Sequence, residues 1–477
     1  MTPSFVLTLK LNTTSSDTAI LNKRFFCGMM IYNTICRYAA KQIRKLRQNP
    51  EYQELLSQTI DVSVRKRLCD IRTSYGLNKY QLYNFSTKQH HRYGAYVDST
   101  AVQKIAGSVW CSCEKVLFNK GKYLHFHKYE DFMSMEGTSN TTGIKYRHGH
   151  MIWNKLIVPV QLDKADIYER EALTHKIKYC RVKRIPMGTK YHYYLQLIIE
   201  GIPPVKHSYG TDRVGIDIGT STCAVVSESN ILLFTLGEEV ASIGSQIAVI
   251  ERKLDRSRRA GDPQNYNADG TIKAGRKIWH PSNNYRKLRF QKKTLATKRA
   301  AVLKQSHEQN ANRVLSLGTK VFVEQMSFTG LQRRANNTTV NKHGRCNSKK
   351  RFGTSLKNHA PSMFLDIINR KLGYVGLSLN KVNTRTFRAS QYNHITDSYV
   401  KKKLSQRWTY VTNNIDIQRD LYSAFLLMNS NDDLQSTNRD KCIATFDSFK
   451  NKHDILIQQL STSTYKLPSS FGITTIA

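Results

Sequence analysis

The stretch VGIDIGTSTCAVVSESN, Val214 to Asn230, restricts the fold more than any other part of the chain. An apolar run carrying one carboxylate, Asp217, turns on Gly219 and resumes as a second apolar run. Runs of this kind read as strands buried on both faces. Burying a bare carboxylate among Val214, Ile216 and Ile218 is costly, so Asp217 must be paired or bind a cation. With ILLFTLG after it, the stretch predicts three consecutive strands joined by very tight turns, then two long helices reaching to Gly318. The first helix has Ile243, Ile247, Ile250 and Leu254 at helical spacing. The second has Leu288, Leu295 and Val302 seven apart and eight cations without an acid: Arg286, Lys287, Arg289, Lys292, Lys293, Lys298, Arg299 and Lys304. Such a stripe suits either solvent or a phosphate backbone.

Two more carboxylates follow apolar context. Glu324 ends the expected strand KVFVEQM, and Asp420 opens the expected helix DIQRDLYSAFLLM, whose Leu421, Phe425 and Met428 face inward. Each has a plain structural reading, Asp420 against the helix dipole and Glu324 turned to water. Together, an acid on a first strand, on a later strand and on a late helix are the parts of an RNase H-type nuclease. Phosphodiester hydrolysis uses two divalent ions about 4 Å apart, and hard carboxylate oxygens suit Mg²⁺, with Mn²⁺ possible.

The rest of the chain supports a nucleic-acid partner. Its 477 residues exceed one ordinary core, and 74 lysines and arginines against 35 acids leave a net charge of +39 spread along the whole length. A polyanion is the partner that relieves such self-repulsion. No apolar stretch approaches the ~18 residues of a spanning helix, so no membrane partner is expected. Nine cysteines are scattered, Cys111 and Cys113 in a spacing that fits neither zinc nor a redox pair. With no secretory signal before MTPSFVLTLKLN, reduced thiols in the cytoplasm are expected.

Toward the amino terminus, SFVLTLKLN alternates as one strand, Asp17 to Val109 reads as helices, and strands return in hairpins turning at His148-Gly149 and Met187-Gly188. A lone strand, a helical block and then antiparallel strands suggest a β-barrel with a helical insertion. GIPPVKHSYG reads as a linker.

The segments GIDIGT, VFVEQMSF and QRDLYSAFL, in that order, resemble the three motifs of the RuvC domain of transposon-encoded TnpB proteins and of compact type V CRISPR effectors. NYNADGTIKAGRKIW, KKRFGTSLKN and YNHITDSYVKKKLSQRW also resemble TnpB-like sequence. The resemblance implies an α/β RNase H-like (RuvC) nuclease domain beside all-β and all-α parts. Its expected limits are a β-barrel wedge domain in 1–15 and 115–205, a helical recognition domain in 16–114, the RuvC-like domain in 206–381 and 418–477, and a target-loading insert in 382–417. It further implies a prokaryotic RNA-guided DNA endonuclease. A guide RNA would pair with target double-stranded DNA, a short flanking motif would be read, and Asp217, Glu324 and Asp420 would be the catalytic carboxylates holding two Mg²⁺ ions in one RuvC site. Basic and aromatic residues interleave in RYGAYVDSTAVQK and KYCRVKRIPMGTKYHYY, which suits contacts with that RNA.

The family commonly carries paired C-x-x-C motifs in the insert, and here Val382 to Ile417 has no cysteine and only His394 as a histidine. Zinc is not expected, and Tyr392, Tyr399 and Trp408 are the candidates for holding the insert by packing. Arg407 is placed to steady the scissile phosphate, or is a plain surface arginine. The tail, 429–477, is expected to add a helix over ATFDSFKNKHDILIQQLS. A monomer is the favoured state. Rival readings are a nuclease-dead RNA-guided repressor, an unguided resolvase-like nuclease, and a sugar kinase of the actin-like fold, whose glycine-rich nucleotide loops are missing.

Overall fold

The computed structural model describes residues 3–474 except 60, 164, 189, 206–207, 338, 341–351, 404, 413 and 465–466. Lys349 to Arg351 of the KKRFGTSLKN segment thus lie outside the described residues. The chain divides into two compact units, Met1–Pro204 and Val205–Ala477.

In the first unit, β1 (Ser4–Leu11) alternates exposed and buried residues and points Phe5, Leu7, Leu9 and Leu11 into the core. Five helices follow: α1 (Ser15–Leu46), α2 (Pro50–Ser57), α3 (Val62–Ser74), α4 (Lys79–Tyr93) and α5 (Ser99–Leu117). A capping box starts α1, Thr14 accepting from the Asp17 N–H and Asp17 from the Thr14 N–H. Then come β2 (Ser134–Glu136), β3 (Ile144–Arg147), β4 (His150–Trp153), β5 (Leu156–Gln161), α6 (Ile167–Thr174), β6 (Ile177–Met187) and β7 (Lys190–Glu200). They join β1 in an antiparallel sheet of order β2-β6-β7-β1-β5-β4-β3. Among the described residues the pairing does not close, so the sheet is a half-barrel where the sequence suggested a barrel. Its edge strands are three and four residues long, which leaves few backbone groups for a closing partner. His148 and Gly149 turn at positive φ as expected, but Asn154 does so too, so the first hairpin is in fact three strands. Helices and sheet share one core of buried residues.

In the second unit, β8 (Arg213–Ile218), β9 (Thr222–Ser227) and β10 (Ile231–Thr235) are the expected tight antiparallel run, followed by α7 (Ala241–Gly261) and α8 (Asn283–Leu317). β11 (Lys320–Glu324) returns parallel to β8. After α9 (Phe328–Leu331), α10 (Gly353–His359) and α11 (Pro361–Tyr374), β12 (Asn380–Val382) lies parallel to β11. The sheet order is β10-β9-β8-β11-β12. The chain continues through α12 (Thr384–Phe387) and the hairpins β13 (Tyr392–Asn393) with β14 (Ser398–Tyr399) and β15 (Trp408–Thr412) with β16 (Ile415–Gln418), and ends in α13 (Arg419–Met428) and α14 (Arg439–Ser461).

Each face of this sheet packs on a different set of helices. Val214, Ile216, Ile218, Val321 and Val323 form one core with Val314 and Leu315 of α8 and Phe364 and Ile368 of α11. Ala224, Val226 and Phe322 form the other with α13 and α14. The long helices are buried over less of their length than their spacing suggested. Ile243 and Ile247 are buried but Ile250 and Leu254 only partly, and in α8 Leu288, Leu295 and Val302 are half-buried while Leu303 to Leu315 carry the packing. Charge explains the difference, because the cations crowd the first half of α8. There Lys292 pairs with Glu251 of α7 at 2.7 Å.

Candidate active site

Strand alternation decides what faces α13. With Val214, Ile216 and Ile218 turned toward α8 and α11, Gly215 and Asp217 must point the other way. Parallel pairing aligns Gly215 with Phe322 and Ile216 with Val323, so Asp217 and Glu324 follow side by side at the ends of β8 and β11. Glycine at 215 is a requirement of approach. A Cβ there would collide with the Ala424 carbonyl and the Met428 N–H of α13. This contact lays the helix directly on β8 and brings its first turn, with Asp420, to the strand ends.

Asp217 therefore feels the charges of both other carboxylates. Asp217 keeps a little solvent access as a residue, yet its carboxyl is hemmed in by protein. Burial pushes its pKa well above the usual carboxylate range, and the charges of Asp420 and then Glu324 push further. Arg419 and a hydrogen bond from Ser423 oppose the rise. Burial also raises Glu324, against a stabilising hydrogen bond from the Ala389 N–H. Asp420 is ion-paired with Arg419, whose Nη2 stands 3.3 Å from Oδ1 while Nη1 donates to the Gln406 carbonyl. Lys402 lies near Arg419. Burial, with Arg419 adding to it, lowers its pKa to about 8, and its Nζ donates to Thr409 Oγ1 at 3.2 Å. Among the described residues no three His, Cys, Asp or Glu side chains stand close enough to hold a metal ion as they are.

Solved structures similar to this chain include complexes of Cas12 proteins. Cas12f1, in a complex with sgRNA and target DNA, is 11% identical, with 90% of this chain and 99% of that one covered and a TM-score of 0.45. A CRISPR-Cas12f ternary complex is 12% identical, covering 89% and 99%, with a TM-score of 0.26. Cas12i with crRNA and double-stranded DNA is 9% identical, covering 89% and 67%, with a TM-score of 0.24. No family model and no curated protein matches the chain.

Arg407 is placed differently from Arg419. The base of its side chain packs where Gly472 comes close, its carbonyl accepts from the Arg419 N–H, and the arginine whose charge bears on Asp217 is Arg419. Arg419 and Ser423 flank Asp420 at one and three residues, within the motif that flagged Asp420. Sequence reasoning missed both, although the i, i+3 spacing of Asp420 and Ser423 was a signal for the second. In the insert, Tyr392 and Tyr399 pack with ring centroids 5.0 Å apart, and Trp408 Nε1 donates to the Gly472 carbonyl at 2.7 Å. His394 is fully buried, its Nδ1 2.7 Å from the Tyr422 hydroxyl. The eight described cysteines are free thiols, and among the described residues no helix is long and apolar enough to cross a membrane.

Proposed function

We propose that the chain is an RNA-guided DNA endonuclease whose second unit is an RNase H-like (RuvC) nuclease domain, with Asp217, Glu324 and Asp420 as its catalytic carboxylates. The observation that carries this reading is that β8, β11 and α13 bring three acids to one sheet face, where the charges of Asp420 and Glu324 add to burial in raising Asp217. The donor set fits Mg²⁺ or Mn²⁺, being hard carboxylate oxygens with a surplus of negative charge. When bound, such ions supply Lewis acidity and a more acidic water at neutral pH. Ser423 fixes the rotamer of Asp217. Arg419 sets positive charge beside Asp420 and Asp217, where a phosphodiester's own charge would otherwise be repelled. The charge of +39, spread along the whole chain, suits a grip on guide RNA and target DNA through their backbones. In this reading 1–15 and 115–205 are the wedge, 16–114 the recognition helices, 206–381 and 418–477 the nuclease and 382–417 the target-loading insert.

A second reading keeps the guide and drops the cut. It is favoured by the Arg419–Asp420 ion pair and by the lack, among the described residues, of a cluster ready to hold a metal. One experiment separates them: sequence the RNA that copurifies, then supply DNA matching its guide portion with Mg²⁺. Cutting that Asp217→Asn abolishes supports the nuclease, binding without cutting supports the second reading, and no copurifying RNA overturns both.

A further inference from the structure

Within the first unit, an open cleft of about 370 Å³ lies where the ends of α1 and α5 meet the segment after α5. That volume falls in the range of about 300–1,000 Å³ typical of small-ligand sites. Its floor is apolar, from α1, α5 and Leu124, and its rim is Arg44, Arg47, Lys122 and Tyr123. A second depression shares Arg47, Lys122 and Tyr123 and extends past Lys120. No acid lines either one among the described residues.

The segment itself, FNKGKYLHFHK from Phe118 to Lys128, alternates cations with rings and contains no acid. Phe118 is 52% exposed, Tyr123 73% and Phe126 51%. Three large rings turned to water within nine residues are a marked exception to burial. Looseness does not account for it. Asn33 of α1 clamps His127 by both backbone groups, donating to its carbonyl and accepting from its N–H, each at 2.9 Å. Tyr32 packs on the His127 ring at 4.3 Å. Arg72 lies over Phe118 at 4.9 Å, bringing one more positive charge to the strip. The end of the strip is therefore anchored to α1 at His127, while Tyr123 and Phe126 stay exposed.

We infer that this strip and cleft form a stacking platform for unpaired RNA, one base lying on Tyr123 with its flanking phosphates on Arg47 and Lys122. A duplex offers only its backbone here, because its base faces are stacked away, whereas unpaired bases stack on exposed rings and their phosphates meet the cations. RNA is the occupant because the inference rests on the proposed function, in which RNA is the resident polyanion.

The test uses the full-length chain freed of nucleic acid and a fluorescein-labelled oligouridylate RNA of about 12 nucleotides, with binding read by anisotropy. Tyr123→Ala should weaken binding about tenfold, the scale of one lost base stack. Tyr123→Phe should bind like the unaltered chain, as should Tyr80→Ala, which removes a ring 75% exposed elsewhere in the unit. Paired Arg47→Ala and Lys122→Ala changes should weaken binding and flatten its salt dependence. Equal affinity with and without the Tyr123 ring overturns this inference alone. So does an equal loss for duplex RNA, or preference for single-stranded DNA of the same length. If the unaltered chain binds no RNA, the proposed function falls with it.

Discussion

Ser423 and Asp420 sit three residues apart on α13 and act on Asp217 in opposite senses, the hydroxyl donating to it and the carboxylate repelling it. Burial and two neighbouring acids raise the Asp217 pKa, so folding favours its protonated form. Its contribution to stability is full below the unfolded carboxylate range and is lost as pH rises through the higher folded value. At neutral pH the ionised group therefore burdens the fold. Asp217→Asn is expected to raise the melting temperature in EDTA, and Mg²⁺ or Mn²⁺ to raise that of the unaltered chain and not of the variant. Thermal melts with and without metal check this, and a variant that melts lower in EDTA counts against it. Under the proposed function the same variant loses cutting by on the order of 10²- to 10³-fold.

Gly215 should tolerate no side chain. Its missing Cβ is what allows β8 to meet the backbone of α13 at Ala424 and Met428, and backbone atoms cannot rotate aside. Gly215→Ala is expected to cost at least about 3 kcal/mol, the upper end for overpacking. Gly244→Ala, in α7 with nothing within 4 Å of the new methyl, should instead stabilise by about 0.5–1 kcal/mol. Urea denaturation of the two variants side by side decides it.

Asp217 stood out in the sequence because it interrupts an apolar strand, whereas Glu324 at a strand end and Asp420 in a first helical turn follow local rules and gained meaning only beside it. The buried cations near them were not legible. Nothing in a run such as YVKKKLSQRW separates Lys402, buried enough for its pKa to fall to about 8, from the lysines on either side, because that distinction arises from packing between distant elements. Arg407 was read as a candidate for the scissile phosphate or as a surface arginine, while the guanidinium whose charge bears on Asp217 is that of Arg419, twelve residues on and adjacent to Asp420. The tight run β8-β9-β10 and the β6-β7 hairpin followed from periodicity and turns, whereas the order of the strands in either sheet did not. Nor did closure of the first, since edge length depends on where pairing stops and not on pattern.

His394 should make the protein sensitive to mild acid. It is enclosed by Tyr422, Phe425 and Phe446, and burial, with help from Arg439, lowers its pKa to about 4. A depressed base is neutral in the fold and takes up a proton on unfolding, so its stabilisation is present above the unfolded value and is lost as pH falls toward the folded one. Between about pH 7 and pH 5 the loss is roughly 2 kcal/mol. His127, His307 and His453 are shifted the same way by burial, so His394→Phe should remove only its own share of the slope. Denaturation midpoints across this range check the expectation, and an unchanged slope in the variant refutes it.

The tail should matter to Asp420 through the start of α13. Gln418 caps α13 by accepting the Leu421 N–H at 2.8 Å, two residues before Asp420 in the chain. The N–H of Gln418 donates to His453 Nε2 of α14 at 3.1 Å, and its side-chain amide donates to the Phe471 carbonyl at 3.4 Å. His453 must carry its proton on Nδ1, which faces Asp454 at 2.9 Å. Phe449 stacks on Phe425 at 4.4 Å, so α14 holds α13 by ring and by hydrogen bond together. His453→Ala leaves the Gln418 N–H buried without its acceptor and should cost about 1–3 kcal/mol, while His453→Gln can restore an acceptor and recover part of it. Amide hydrogen exchange should speed up at Gln418 and Leu421 in the alanine variant and stay slow in the sheet. Uniform acceleration across the unit would mean that the tail merely stabilises and does not position Asp420.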